Sequence, residues 1–187
     1  MKQVVWKVYW DYEREEKWLN EMSVKGLALT DYSWCRYVFA ESAKGQYIYR
    51  IELLNQNATH PESIAYLRFL EESGVECVAT YMRWVYLRKK ASEGSFDIYT
   101  DLESRIKHYK RIYAFWNMLM FVEFSAGLSN LSIGIINLNI ADPFRDYAYG
   151  NLIAGLCLIP LGFLFLRLSL QIRKKIKKLD QEKLIRE

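Results

Sequence analysis

Two hydrophobic rhythms divide the chain. Up to about residue 104 apolar and charged residues are closely interleaved, whereas from 112 to 170 charges almost vanish. In the first part VVWKVYW, LALTDYSW, CRYVFAE and QYIYRIELL read as strands, and in the last of these Tyr47, Tyr49, Ile51 and Leu53 alternate as a half-buried strand requires. Between the first two strands Trp18, Leu19 and Met22 recur at helical spacing. Asp11 can cap that helix, which runs through Lys25 and stops at Gly26. The cycle then repeats. Thr59 and Glu62 form a capping box around Pro61, and Ile64, Leu67 and Leu70 supply an inward stripe ending at Gly74. VECVATYM and RWVYLRKK add two further strands.

The two halves match in order and in places by residue type. WLNEMSVKG aligns with YLRFLEESG, and WCRYVF with YMRWVY. The pattern is that of two βαββ repeats, with generic α+β patterning as the alternative. The expected fold of residues 1–104 is therefore an α+β domain, an antiparallel sheet with both helices on one face. Its open face would collect aromatic rings, and Trp34, Tyr37, Tyr49, Tyr81 and Trp84 are the candidate ligand or partner face, with Tyr32, Tyr47 and Tyr86 nearby. The competing reading has these rings filling the core and flanking sheet edges. In outline the arrangement is similar to duplicated βαββ domains of the GyrI-like kind, which bind amphipathic drugs in an aromatic cleft; the likeness is one of fold alone.

The apolar stretches predict a transmembrane hairpin. At about 1.5 Å per residue, the run 112–140 exceeds the roughly 30 Å of a hydrocarbon core, and 148–170 is long enough to return. ADPFRDYAYG between them is turn-rich. Arg105, Lys107, Lys110 and Arg111 precede the first span, and Arg173, Lys174, Lys175, Lys177 and Lys178 follow the second. The loop offers only Arg145, balanced by Asp142 and Asp146. By the positive-inside rule both termini are cytoplasmic, giving a two-pass cell-membrane protein with a juxtamembrane and membrane part over 105–170 and a basic tail over 171–187. That tail is a stop-transfer flank, and Ile172, Ile176 and Leu179 could also lay it as an amphipathic helix on anionic lipid.

One acid interrupts the first span. Glu123, Gly127, Asn130, Gly134 and Asn137 are spaced four, three, four and three, which puts them on one helix face as a candidate packing or sensing strip. Small residues let helices approach and amides can bond across the contact, so the strip suits the second helix, through Gly150, Ala154 and Gly155, or a second copy of the chain. In a level antiparallel pair Glu123 lies opposite Pro160. An ionised acid at mid-bilayer costs about 3 kcal/mol, so Glu123 is expected neutral or facing a polar group.

Charge refines the picture. Residues 1–104 hold 13 Lys/Arg against 16 Asp/Glu, while 105–187 hold 13 against 6. The front domain is thus mildly acidic, and direct nucleic-acid binding is not expected despite a sequence pI of about 8.8. Cys35, Cys77 and Cys157 are scattered and form no C-x-x-C, which fits a reduced, cytosol-facing domain. No nucleophile elbow, phosphate loop, dinucleotide fingerprint or H-E-x-x-H is present. The expectation is a protein that is not an enzyme and carries no cofactor or metal. His60 reads as part of a helix start, His108 as juxtamembrane, and EREE at 13–16 as a solvated helix face.

KVYWDYEREEKWLNEMSVKGLALTDYSWCRYVF, followed by GQYIYRIELL, GVECVATYMRWVYLRK and the paired spans, resembles the bacterial domain of unknown function 2812 over essentially the whole chain. Members of that family are often encoded beside PadR-type transcriptional regulators in Gram-positive bacteria, and the family has no established catalytic residues. The resemblance implies a membrane-anchored accessory or sensory protein that modulates a PadR-type regulator in response to membrane-active compounds or envelope stress. The alternative is a membrane protein that sequesters a hydrophobic small molecule without touching transcription. The expected partners are the bilayer, a PadR-type regulator, a second copy through the spans, and a hydrophobic small molecule.

Overall fold

The structure, a computed structural model, describes residues 2–99, 101–139 and 145–186. It divides into two compact units, Met1–Ser104 and Arg105–Glu187.

The first unit is built twice from the same parts. β1 (Lys2–Trp6), α1 (Tyr12–Val24), β2 (Leu27–Ser33) and β3 (Arg36–Glu41) make the first βαββ repeat; β4 (Tyr47–Leu53), α2 (Pro61–Glu72), β5 (Glu76–Tyr81) and β6 (Trp84–Lys90) make the second. Each repeat folds into an antiparallel three-stranded sheet, ordered β1-β3-β2 and β4-β6-β5. The register slips at equivalent places, between Leu29 and Asp31 in β2 and between Cys77 and Ala79 in β5. Both helices are followed by a glycine at positive φ, Gly26 and Gly74. Shared topology, shared bulges and shared caps make the repeat visible in three dimensions.

The expected single sheet is instead two. β2 and β5, the edge strands of their sheets, lie side by side without pairing into one ladder. Side chains join the halves there. The Leu29 N–H donates to the Tyr49 hydroxyl at 2.8 Å, and Arg88 donates to the Leu29 carbonyl at 3.0 Å while forking onto Glu76.

The outer edge of β4 is closed by a helix. Along α1, Glu16, Asn20 and Ser23 recur at spacings of four and three, and all face that strand. Glu16 accepts from the Ile51 N–H at 3.0 Å, and Asn20 bonds both the N–H and the C=O of Tyr49 at 2.9 and 3.1 Å. Ser23 bonds both backbone groups of Tyr47 at 3.2 and 2.7 Å. Three polar side chains thus stand in for a neighbouring strand and blunt an edge that would otherwise recruit one.

Two apolar clusters fill the unit. One joins Leu19 and Met22 of α1 to Leu29, Tyr37, Phe39, Tyr49, Ile51 and Tyr86; the other joins Leu54, Val75, Val85, Leu87 and Phe96, with Leu67 and Leu70 of α2 against it. Ile64 is exposed rather than part of that stripe. The start of α2 also differs from expectation: the cap is His60, whose Nδ1 accepts from the Glu62 N–H, and not Thr59. Tyr99, beyond β6, donates to the buried Glu52 at 2.6 Å, and Tyr66 of α2 donates to the same carboxylate at 2.9 Å.

The second unit is a pair of long helices, and residues 102–104 already belong to the first of them. α3 spans Leu102–Leu138 and α4 spans Arg145–Arg186, both long and apolar enough to cross a membrane. Within the apolar windows only 11% and 28% of positions are buried, so Phe121, Val122, Ile135, Ile153, Leu156 and Phe163 point outward. A helix apolar on all sides and uncovered by protein fits lipid as its solvent, and the pair fits a two-pass membrane protein. The expected connecting turn, with Ile140 and Asp142, lies outside the described residues, as do the side chains of Arg145 and Asp146. The basic tail continues α4 without a break, and Ile172 and Ile176 are buried, so they are not free to lie on lipid.

Candidate functional site

The structural centre of the first unit is a carboxylate that the pattern of EREE concealed. Glu15 follows Glu13 and Arg14 in the first turns of α1, yet it is 7% exposed, because positions 15, 19 and 22 form one helix face and Leu19 and Met22 are core. The solvated reading of this run fails at Glu15. Its Oε1 accepts from the Tyr37 hydroxyl at 2.7 Å and from the Tyr86 hydroxyl at 2.7 Å. Tyr37 belongs to β3 and Tyr86 to β6, so one carboxylate oxygen ties together equivalent strands of the two repeats. Tyr32 completes the setting, its ring centroid 4.3 Å from that of Tyr86 and 4.8 Å from that of Tyr37.

Electrostatics follow from the burial. Loss of solvent raises the Glu15 carboxyl above its ordinary range, opposed by the hydrogen bonds from Tyr37 and Tyr86. Burial, then the adjacent Glu15 charge, pushes both phenols far upward, so they remain donors. Glu16 is likewise raised by burial, with the Ile51 N–H and then Arg50 pulling the other way. Burial pushes the Cys77 thiol up to about 11, which leaves it a poor nucleophile at neutral pH. The centre is thus one buried acid held by two phenols, and it links the two halves.

The five rings of the expected open face separate. Tyr37 and Tyr49 are fully buried members of the core, and they present nothing to solvent. Both rings lie on the core side, packed with Leu19 and Met22 of α1, and not on an open face. Tyr81 and Trp84 are half-buried, with Tyr81 against Tyr32 and Trp84 against Tyr12 at centroid distances of 5.9 and 5.8 Å. Trp34 alone stands out, 71% exposed at the tip of the β2–β3 hairpin. Trp34 and Cys35 both have positive φ, 35° and 67°, as a tight hairpin turn demands, and neither is glycine. Met82 occupies the matching tip of the β5–β6 hairpin, with φ of 55° and 68% exposure. Sequence reasoning did not single out Met82 or the apolar edge formed by Val4 and Trp6, which is 69% exposed.

In the second unit the expected strip is only partly a contact surface. A Cβ on Gly127 would come within 2.8 Å of Ile159, and one on Gly134 within 2.8 Å of Leu152 and 3.1 Å of the Ala148 carbonyl. Gly155 answers from α4, where an added Cβ would stand 2.9 Å from the Gly127 carbonyl, and Gly162 packs beside Phe124. Gly150 faces open space and takes no part. Asn130 turns its amide to the Ala126 carbonyl of its own helix at 2.8 Å and does not bond across the pair. A polar bridge between the helices runs from the Ser169 hydroxyl to Asn117 Oδ1 at 2.8 Å, more than one helical turn from the strip. Glu123 and Asn137 are half-buried. The Phe124–Gly162 contact puts Glu123 closer to the level of Gly162 than of Pro160.

No curated protein and no solved structure matches the chain. A family model described as Protein of unknown function (DUF2812) matches residues 11–121, from the cap of α1 through both repeats and into the apolar part of α3. The match takes in Glu15, both of its tyrosine partners and Trp34, and covers more than half of the sequence, so the chain belongs to the DUF2812 family.

Proposed function

We propose that this protein is a two-pass membrane anchor, with both termini cytoplasmic, that holds its α+β domain ready to bind and modulate a PadR-type transcriptional regulator in response to membrane-active compounds or envelope stress. The observation that carries the reading is Trp34, held at a strained hairpin tip with most of its ring in solvent. Tryptophan is the side chain most enriched at binding hot spots, and the tight hairpin turn presents this one to solvent. Tyr37 lies three residues from Trp34, and Tyr86 four from Met82, so the Glu15 bridge controls the footing of both tips. A compound or stress that breaks the bridge would shift the tips and change how the partner is held. The role is one of binding, not of catalysis.

Co-purification from solubilised membranes tests this. The regulator should come down with the intact chain, and Trp34→Ala should reduce its recovery about tenfold, as loss of one hot-spot ring implies. Equal recovery with Trp34→Ala, or no recovery under any inducing condition, would remove the proposal.

A second reading, sequestration of a hydrophobic compound without contact to a regulator, draws on the same buried acid. Once the bridge opens, a carboxylate flanked by Tyr32, Tyr37 and Tyr86 has the chemistry to hold an organic cation. Quenching of Trp fluorescence by a cationic amphiphile in wild type but not in Glu15→Gln would favour it.

A further inference from the structure

Along α4, where the apolar span gives way to the basic tail, Phe163, Leu166, Arg167, Leu170, Gln171 and Lys174 line a groove of about 300 Å³. The spacing of three, one, three, one and three keeps all six on one helix face. The chemistry changes across that face. Phe163, Leu166 and Leu170 make one flank apolar, and Arg167, Gln171 and Lys174 make the other cationic and hydrogen-bonding, with Arg167 nearer the span than Leu170.

From this we infer that the groove is a binding site for one anionic phospholipid of the leaflet at the C-terminal end of α4. The inference rests on the reading of α3 and α4 as membrane spans. The occupant follows from three features. No acid lines the groove, and the first acidic residue of α4 beyond it is Asp180, so a phosphate meets two cations without opposition. Arg167 offers a planar fork suited to phosphate oxygens, and Lys174 a compact second charge about 10 Å further along the helix by its rise, within reach of a head group from the other side. The apolar flank continues into a span whose outer surface is otherwise uncovered, so an acyl chain lying along Leu166 and Phe163 stays in hydrocarbon while its head group sits between Arg167 and Lys174 beside Leu170. A free phosphate would use only half of this surface.

Native mass spectrometry of the full chain from nanodiscs holding equal parts phosphatidylglycerol and phosphatidylcholine tests the site. Wild type should retain phosphatidylglycerol in preference, and the double substitution Arg167→Gln with Lys174→Gln should abolish the preference. Lys110→Gln with Arg173→Gln, which removes two exposed charges outside the groove, should keep it. Unchanged preference in the first variant, or equal loss in both, would overturn a dedicated site. Displacement of the lipid by inorganic phosphate alone would overturn the lipid as its occupant. Both variants should co-sediment with vesicles as wild type does. Wild type remaining in the supernatant would instead overturn the membrane reading itself.

Discussion

Replacing Glu15 by Gln keeps the shape of the buried bridge and removes its charge. Burial raises the Glu15 carboxyl above 4.5, so the folded chain holds that proton more tightly than the unfolded one. The resulting stabilisation is complete below the ordinary carboxylate range and is lost as pH rises through the raised value. Glu15→Gln has no such loss, so its urea midpoint should gain on wild type as pH is raised from about 4.5. Midpoint curves that stay parallel across this range would contradict the assignment. Tyr37→Phe and Tyr86→Phe should each cost about 1–3 kcal/mol in the same unfolding measurement, since each leaves the buried oxygen one donor short. The position of Glu15 was legible in principle, because 15, 19 and 22 share a face with known core residues. Its charged neighbours hid it: hydropathy averages over EREE, whereas burial is decided by the direction of each side chain separately.

Helices and strands are set by local rules, and here those rules were readable. Asp11 caps α1 as its position before the apolar stripe suggested, and the Glu13 N–H donates to its side chain at 3.0 Å. What joins the elements was not readable. Whether the two repeats share one sheet depends on how β2 and β5 meet, and the cover over β4 depends on a helix distant in sequence. That cover makes an asymmetric prediction. Asn20→Ala strands the Tyr49 N–H, while the Tyr49 carbonyl keeps its bond from Arg50, and should cost about 1–3 kcal/mol of unfolding free energy. Arg68→Ala, on the exposed face at the matching place in α2, should change stability by no more than about 0.5 kcal/mol. The helix pair offers a parallel contrast. Gly155→Ala would put a Cβ 2.6 Å from Leu131 and 2.9 Å from the Gly127 carbonyl, an overpacking worth about 1–3 kcal/mol, whereas Gly150→Ala meets nothing within 4 Å and should be silent in thermal melts in detergent.

At the scale of the whole molecule, the division between an acidic α+β unit and a basic apolar hairpin was plain from charge and hydropathy, because both are properties of long segments and survive averaging. The family follows from extended sequence likeness over residues 11–121. Which partner the front unit meets does not, since Trp34 and Met82 became a matched pair of tips only once the fold placed them. The central claim is a membrane anchor with its α+β unit and its tail on the cytoplasmic side. It is tested most directly by a membrane-impermeant maleimide applied to intact cells expressing Lys44→Cys or Leu184→Cys, exposed positions in the front unit and the tail, in a background lacking Cys35, Cys77 and Cys157. The account predicts that both positions remain unlabelled until the cells are permeabilised and that the chain pellets with membranes throughout. Labelling of either position in intact cells, or recovery of the chain in the soluble fraction, would contradict it.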